Sequence, residues 1–257
     1  MRETFETLSA LGTYLRLCQA RRQGWVSFRL MGQRTDAQLH QVLDQMLPMV
    51  QRSSRRVWRE RGGHAVTMTL HYRDGVRLAD AWRRGDIACL TAEERLALLT
   101  AQEIARTQAD LQAMAAQLAR QVSYENPRHG SARYGRIVSG ITALNEGCAN
   151  CQGISDAMYL IGTVAGYAMG YQQGHNPQGE HLWNTVVLNG ACYALDVTAE
   201  VGRDAPVCPL MDGEACRERG LRWENWAESC RLADVRKNPA DSAKSPYTSA
   251  ERCGIIK

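Results

Sequence analysis

The chain has 257 residues, 44% of them hydrophobic and 23% charged, with a formal net charge of +4. That length suits one elaborated domain or two small ones, and the apolar fraction excludes a chain too polar to bury a core. Basic and acidic residues are interspersed, which argues against nucleic acid as a partner, and no apolar run approaches the roughly 20 residues of a membrane-spanning helix.

In chain order, Phe5, Leu8, Leu11, Leu15 and Cys18 recur at helical spacing, so residues 3–22 read as an amphipathic helix. Trp25 to Leu30 alternates as a short strand. Thr35-Asp36 caps a helix carrying Leu39, Val42, Leu43, Met46 and Leu47, which ends near Pro48. Residues 57–82 read as strand. Val66, Met68, Leu70 and Tyr72 alternate with polar residues, and Asp74-Gly75 offers a hairpin turn into Val76-Arg77-Leu78. Arg52, Arg55, Arg56, Arg59 and Arg61 fit the solvated face of an edge strand. The expectation is a small N-terminal α/β module over residues 1–88, followed by a second domain over residues 89–257.

That second domain opens on Thr91-Ala92-Glu93-Glu94, a capping box, and a helix whose stripe of Leu98, Ile104, Leu111, Met114, Leu118 and Val122 runs to Ser123. Residues 128–140 read as a Gly- and Arg-rich loop. Ile154, Ala157, Met158, Ile161 and Ala165 then predict a buried helix from Cys151 to Gly166. Residues 172–180 read as a polar loop holding a solvated His175; His40, His64, His71 and His129 are expected in solvent as well. Beyond Thr198 the pattern weakens into a Gly-, Pro- and Cys-containing loop over 201–220. A short helix follows over 221–232 with Trp223 and Trp226 on one face, then an extended polar tail over 238–249.

Three residues stand out. Asn189-Gly190 separates two runs rich in Val, Leu, Trp, Tyr and Thr, the signature of a two-residue type I′ hairpin. In that register Leu188 faces Ala191, His181 lies opposite Thr198, and Trp183 lies opposite Asp196. His181 and Asp196 become diagonal neighbours on one face, about 5 to 7 Å apart at Cβ. Cys151 sits where the next helix upstream begins, and there unpaired N–H groups and the helix dipole favour a thiolate. A thiol, an imidazole and a carboxylate in this order form a nucleophilic constellation if the fold unites them.

Cys151-Gln152-Gly153 before an apolar helix, then His181-Leu182-Trp183-Asn184-Thr185-Val186, a short turn, and Tyr193-Ala194-Leu195-Asp196-Val197-Thr198 resemble the core of the transglutaminase-like superfamily, a branch of the papain-like cysteine enzymes. The close match covers about a fifth of the chain, and the upstream helix and Tyr124 match more loosely. The resemblance implies an α+β fold in which a nucleophile helix packs on an antiparallel sheet. It also implies Cys151 as nucleophile, His181 as general base and acid, and Asp196 as the orienting carboxylate. Leu182 departs from the small residue that often follows the histidine. The chain also lacks the aromatic residue that animal transglutaminases carry after the nucleophile, so hydrolysis of peptide or protein amide bonds is expected over cross-linking.

The backbone N–H of Cys151 is expected as one oxyanion donor, with Gln152, Asn150 and Tyr134 as candidates for the second. Trp183 is expected to pack under the site or to meet substrate. Gly153 is read as admitting the substrate backbone. No metal or organic cofactor is called for. Cys148 and Cys151 also spell a redox pair or half a zinc site, but no second pair at matching spacing follows. Of nine cysteines, Cys192, Cys208, Cys216, Cys230 and Cys253 follow His181, which suits one or two disulfides in an exported protein or a set of reduced thiols. A secreted or cell-surface location, with a leader absent from this chain, is favoured over the cytoplasm. The alternatives to an amidase are a catalytically silent peptide- or glycan-binding module of the same fold and a thiol-disulfide exchanger.

Overall fold

The structure, a computed structural model, describes residues 2–223. Its elements in chain order are β1 (Glu3–Phe5), α1 (Leu8–Ala20), β2 (Trp25–Met31), α2 (Asp36–Gln45), β3 (Val50–Glu60), β4 (Gly63–Tyr72), α3 (Asp74–Arg84), α4 (Ala92–Thr107), α5 (Leu111–Gln121), β5 (Ser123–Tyr124), α6 (Ala132–Ile137), α7 (Gly140–Glu146), β6 (Cys148–Ala149), α8 (Cys151–Val164), β7 (Ala168–Asn176), β8 (Gly179–Leu188), β9 (Ala191–Leu195) and α9 (Gly213–Glu218). The fold is α+β, as expected. The helix expected over 221–232 lies mostly outside the described residues, and the tail over 238–249 lies wholly outside them.

The first third forms a four-stranded sheet in the order β1-β2-β4-β3. Alternation sends Val26, Phe28, Leu30, Val66, Met68 and Leu70 to one face, where Leu11 and Leu15 of α1 and Leu39 and Leu43 of α2 cover them. The first helix begins later than its apolar spacing suggests. Thr7 caps it by accepting from the Ala10 N–H at 3.2 Å, and residues 3–5 pair with β2 instead. His64 is a correction: on β4 it is 3% exposed, not solvated. The hairpin turn lies at Arg61-Gly62, between β3 and β4, where Gly62 adopts φ +82°. Asp74-Gly75 does not turn a hairpin but starts α3.

A second core gathers around α8, where every residue from Gly153 to Val164 is buried. Val76, Leu78 and Ala79 of α3, Leu98 and Ile104 of α4, and Met114 and Leu118 of α5 pack there. The expected single helix through Ser123 is two helices. The chain leaves α4 at an extended Gln108, and Asp110 caps α5 by accepting from the Ala113 N–H at 2.8 Å. The expected loop over 128–140 holds α6, capped by Ser131, and the start of α7, capped by Ser139.

The third unit is the antiparallel sheet β7-β8-β9. Residues 172–180 are not a loop. β7 pairs with β8 from Ala168↔Val187 to Asn176↔Gly179, and His175 is exposed but on a strand. Its polar composition hid it, because β8 supplies the register. Asn189 (φ +51°) and Gly190 (φ +79°) make the expected turn, and β9 pairs with β8 from Leu188↔Ala191 to Asn184↔Leu195. There the ladder stops: Val197 turns to helical angles, and neither of the expected pairs Trp183–Asp196 and His181–Thr198 forms. Met211 bridges to Ala194 and Arg222 to His175, so the segment after residue 206 crosses behind the sheet and packs Met211, Cys216 and Leu221 around Trp183.

Candidate active site

Cys151 is the first residue of α8, so its N–H is one of the four donors that a helix start leaves without an internal acceptor. Asn150 caps the helix. Its Oδ1 accepts from the N–H groups of Gln152 at 3.0 Å and Gly153 at 3.3 Å, and its own N–H donates to the Ile137 carbonyl at 3.1 Å. The Asn150 Oδ1 and N–H are thereby committed to holding the helix start. Gly153 is needed for packing, not for a substrate: a Cβ there would lie 2.3 Å from the Ile137 carbonyl oxygen.

His181 enters from β8 and is 5% exposed; Asp196, just past β9, is 6% exposed. The His181 Nε2 to Asp196 Oδ2 distance is 2.9 Å, so the two side chains meet although both expected flanking pairs are absent. Burial pulls the imidazole's pKa down, but hydrogen bonding to Asp196 and then to Cys151, with their negative charge, outweighs it and pushes the ring up to about 10. With Nε2 on the carboxylate, Nδ1 is left for the sulfur. This pairing favours an imidazolium beside the thiol.

Trp183 is fully buried, with its ring 5.7 Å from that of His181 at 27° and edge-on to Trp223 at 6.2 Å. It backs the imidazole and is no substrate contact, so that candidate is corrected. Leu182 points the other way, into the core against α8. Tyr134 and Gln152 do come together, the Gln152 Nε2 donating to Tyr134 Oη at 3.3 Å. Tyr124 and Tyr134 both lie close enough to Cys151 for its charge, after burial, to raise their phenol pKa values. A cavity of about 420 Å³ lined by Arg120, Ser123, Tyr124, Val201 and Arg203 opens on the Tyr124 side.

Cys148 and Cys151 are both free thiols, and Cys148 accepts from Arg133 Nη2 at 3.1 Å. Cys18, Cys89, Cys208 and Cys216 are free as well, whereas Cys192 is disulfide-bonded. Among the described residues no group of three His, Cys, Asp or Glu side chains is placed to hold a metal ion. No described helix is long and apolar enough to cross a membrane.

Two residues that support the site were not singled out from the sequence. Asp156, fully buried on α8, accepts from the N–H of Gly75 (3.0 Å to each oxygen), the N–H of Gly140 (3.0 Å) and Tyr171 Oη (2.7 Å). It ties α3, α7 and β7 to the nucleophile helix. Burial raises its pKa. Arg73, 5% exposed, donates to the Pro48 carbonyl at 2.7 Å and to Gln152 Oε1 at 3.2 Å. An acidic residue in the middle of a helix is ordinarily solvated, and an arginine before a turn carries no signal of its own. Only the apolar neighbours of Asp156, Ile154, Ala157 and Met158, hinted that its carboxyl would be buried and need partners.

No family model and no curated protein matches the chain. Among solved structures it is similar to a TGase, at 12% identity and a TM-score of 0.39 over 70% of this chain and 53% of that one, so it spans about half of that protein's length. It is also similar to a candidate cysteine protease from Cytophaga hutchinsonii, at 10% identity and a TM-score of 0.35 over 68% and 75% of the two chains. A third is the periplasmic domain of TgpA from Pseudomonas aeruginosa, at 18% identity and a TM-score of 0.31 over 58% and 66%.

Proposed function

We propose that the protein is a cysteine-dependent hydrolase of peptide or protein amide bonds, a transglutaminase-like cysteine peptidase. The observation that carries this reading is the 2.9 Å contact between His181 and Asp196, beside a cysteine at a helix start whose charge helps to raise the imidazole pKa. The Cys151 sulfur, its proton already on His181, attacks the amide carbonyl carbon, and the N–H of Cys151 donates to the developing oxyanion. The His181 imidazolium gives its proton to the leaving amine as the C–N bond breaks, which leaves a thioester. His181, now neutral, takes a proton from water, which attacks the thioester; the C–S bond breaks, the acid leaves, and the thiolate beside the imidazolium is restored. Asp196 holds the ring and offsets its charge throughout.

Digestion of fluorescently labelled casein by the wild type and by Cys151→Ala, with iodoacetamide labelling of each thiol in parallel, tests the reading. Product release lost in the variant, and Cys151 labelled much faster than the other thiols, is the expected result. Slow, uniform labelling would favour a silent binding module, and undiminished cleavage by the variant would exclude the mechanism. A secreted or cell-surface location is part of the proposal, supported by the disulfide at Cys192 rather than by the active-site chemistry, and fractionation of producing cells would check it.

A further inference from the structure

We infer that Arg73, reaching over from the end of β4, orients Gln152 so that Tyr134 presents its hydroxyl proton to the oxyanion formed at Cys151; the inference rests on the proposed thiol chemistry. Arg73 is held by its backbone N–H on the Met49 carbonyl at 3.0 Å and by Nε on the Pro48 carbonyl at 2.7 Å, both in the N-terminal unit. A guanidinium has only donors, so the group it meets at 3.2 Å must be the oxygen of Gln152. That choice fixes the amide's direction, and its NH₂ group faces Tyr134 Oη at 3.3 Å. Tyr134, accepting there, keeps its own O–H proton for another acceptor.

The phenol is not free to swing. Ser131 caps α6 through the Tyr134 N–H at 3.1 Å, and the His129 ring lies 4.5 Å from the Tyr134 ring. Its hydroxyl bonds the side chain of Gln152, which follows Cys151 in the first turn of α8, and the Cys151 charge, after burial, raises its pKa. Tyr134 is then a catalytic residue, and Arg73 and Gln152 are positioning residues that act through it.

Two reactions of Cys151 separate this role from thiol activation. In acylation by p-nitrophenyl acetate the sulfur bonds to the carbonyl carbon, an oxyanion forms, and p-nitrophenolate leaves. In alkylation by iodoacetamide the sulfur displaces iodide from a saturated carbon, and no oxyanion arises. With the full chain, Tyr134→Phe is expected to slow acylation by about tenfold to a hundredfold, the scale of losing one oxyanion donor, and to leave alkylation within about twofold. Gln152→Leu and Arg73→Met are expected to slow acylation by about tenfold, and Arg73→Met/Tyr134→Phe to be no slower than Tyr134→Phe alone, because members of one relay are not additive. Gln152→Leu leaves the bond from Arg73 to Pro48 intact, so it reports on the relay even if Arg73→Met folds poorly. Equal loss of both reactions in Tyr134→Phe or Gln152→Leu, or multiplying effects in the double variant, would overturn the relay while leaving the nucleophile in place. A wild type whose Cys151 alkylates no faster than its other thiols would remove the thiol reading, and the relay with it.

Discussion

The two halves of the site are built by opposite means. His181 and Asp196 are 15 residues apart and are brought together by one hairpin, whose turn and pairing follow from Asn189-Gly190 and five ladder pairs. Cys151 owes its place to a helix anchored from far along the chain, through a carboxylate that collects N–H groups from Gly75 and Gly140 and the hydroxyl of Tyr171. The hairpin half is local and keeps its contact although the ladder ends before the two expected pairs that flank it. The helix half hangs on long-range ties, so damage there should appear as lost folding before lost chemistry.

Cys151→Ala should have the largest effect, lowering amide hydrolysis roughly 10⁴-fold or more while leaving thermal unfolding almost unchanged, because the side chain is small and makes no core contact. Calorimetry beside an activity assay checks both. Asp156→Ala should do the reverse. It strands two buried N–H groups and a tyrosine hydroxyl, and should cost about 3–5 kcal/mol in urea unfolding, with activity per folded molecule reduced far less. Activity per folded molecule that fell as far as in Cys151→Ala would collapse the distinction between the two halves.

The pH dependence probes the hairpin half. His181 is raised to about 10 by Asp196 and Cys151, so the imidazolium form, and with it activity, should persist into alkali and fall as pH rises through about 10. Asp196→Asn removes the carboxylate's charge and should move that alkaline limb down toward the ordinary histidine value of about 6.5. The same shift links to stability. A group whose folded pKa is raised contributes fully below its unfolded value and loses that contribution as pH rises through its folded one, so stability should decline between about 6.5 and 10. Denaturant midpoints across that range, in wild type and Asp196→Asn, measure it. The smallest effect is expected from Gly190→Ala, where φ is +79°: about 1–2 kcal/mol from left-handed strain, with His181 and Asp196 still in contact.

The hairpin register, the capping box at Thr91, the helix start at Cys151 and the alternation of β2 and β4 were all legible in the residues, because turn chemistry and apolar period act over a few positions. Where reading failed, a distant partner had overruled the local pattern. Asp74-Gly75 looks like a turn until Asp156, 81 residues away, draws the Gly75 N–H into a helix start. β7 is too polar to announce itself and takes its register from β8. Trp183 shares a face with His181, as its spacing requires, but the segment around Met211 and Leu221 closes over it and leaves it no substrate to meet.

The amino-acid order alone therefore specified which thiol, imidazole and carboxylate are candidates and how two of them face each other, since both follow from short-range geometry. Folding in three dimensions settled what surrounds them: a buried aspartate pinning the nucleophile helix, a tryptophan walled off behind the imidazole, and an arginine from the first sheet touching Gln152. Such contacts join residues tens of positions apart, and a side chain's burial depends on what arrives from elsewhere, which no local spacing encodes.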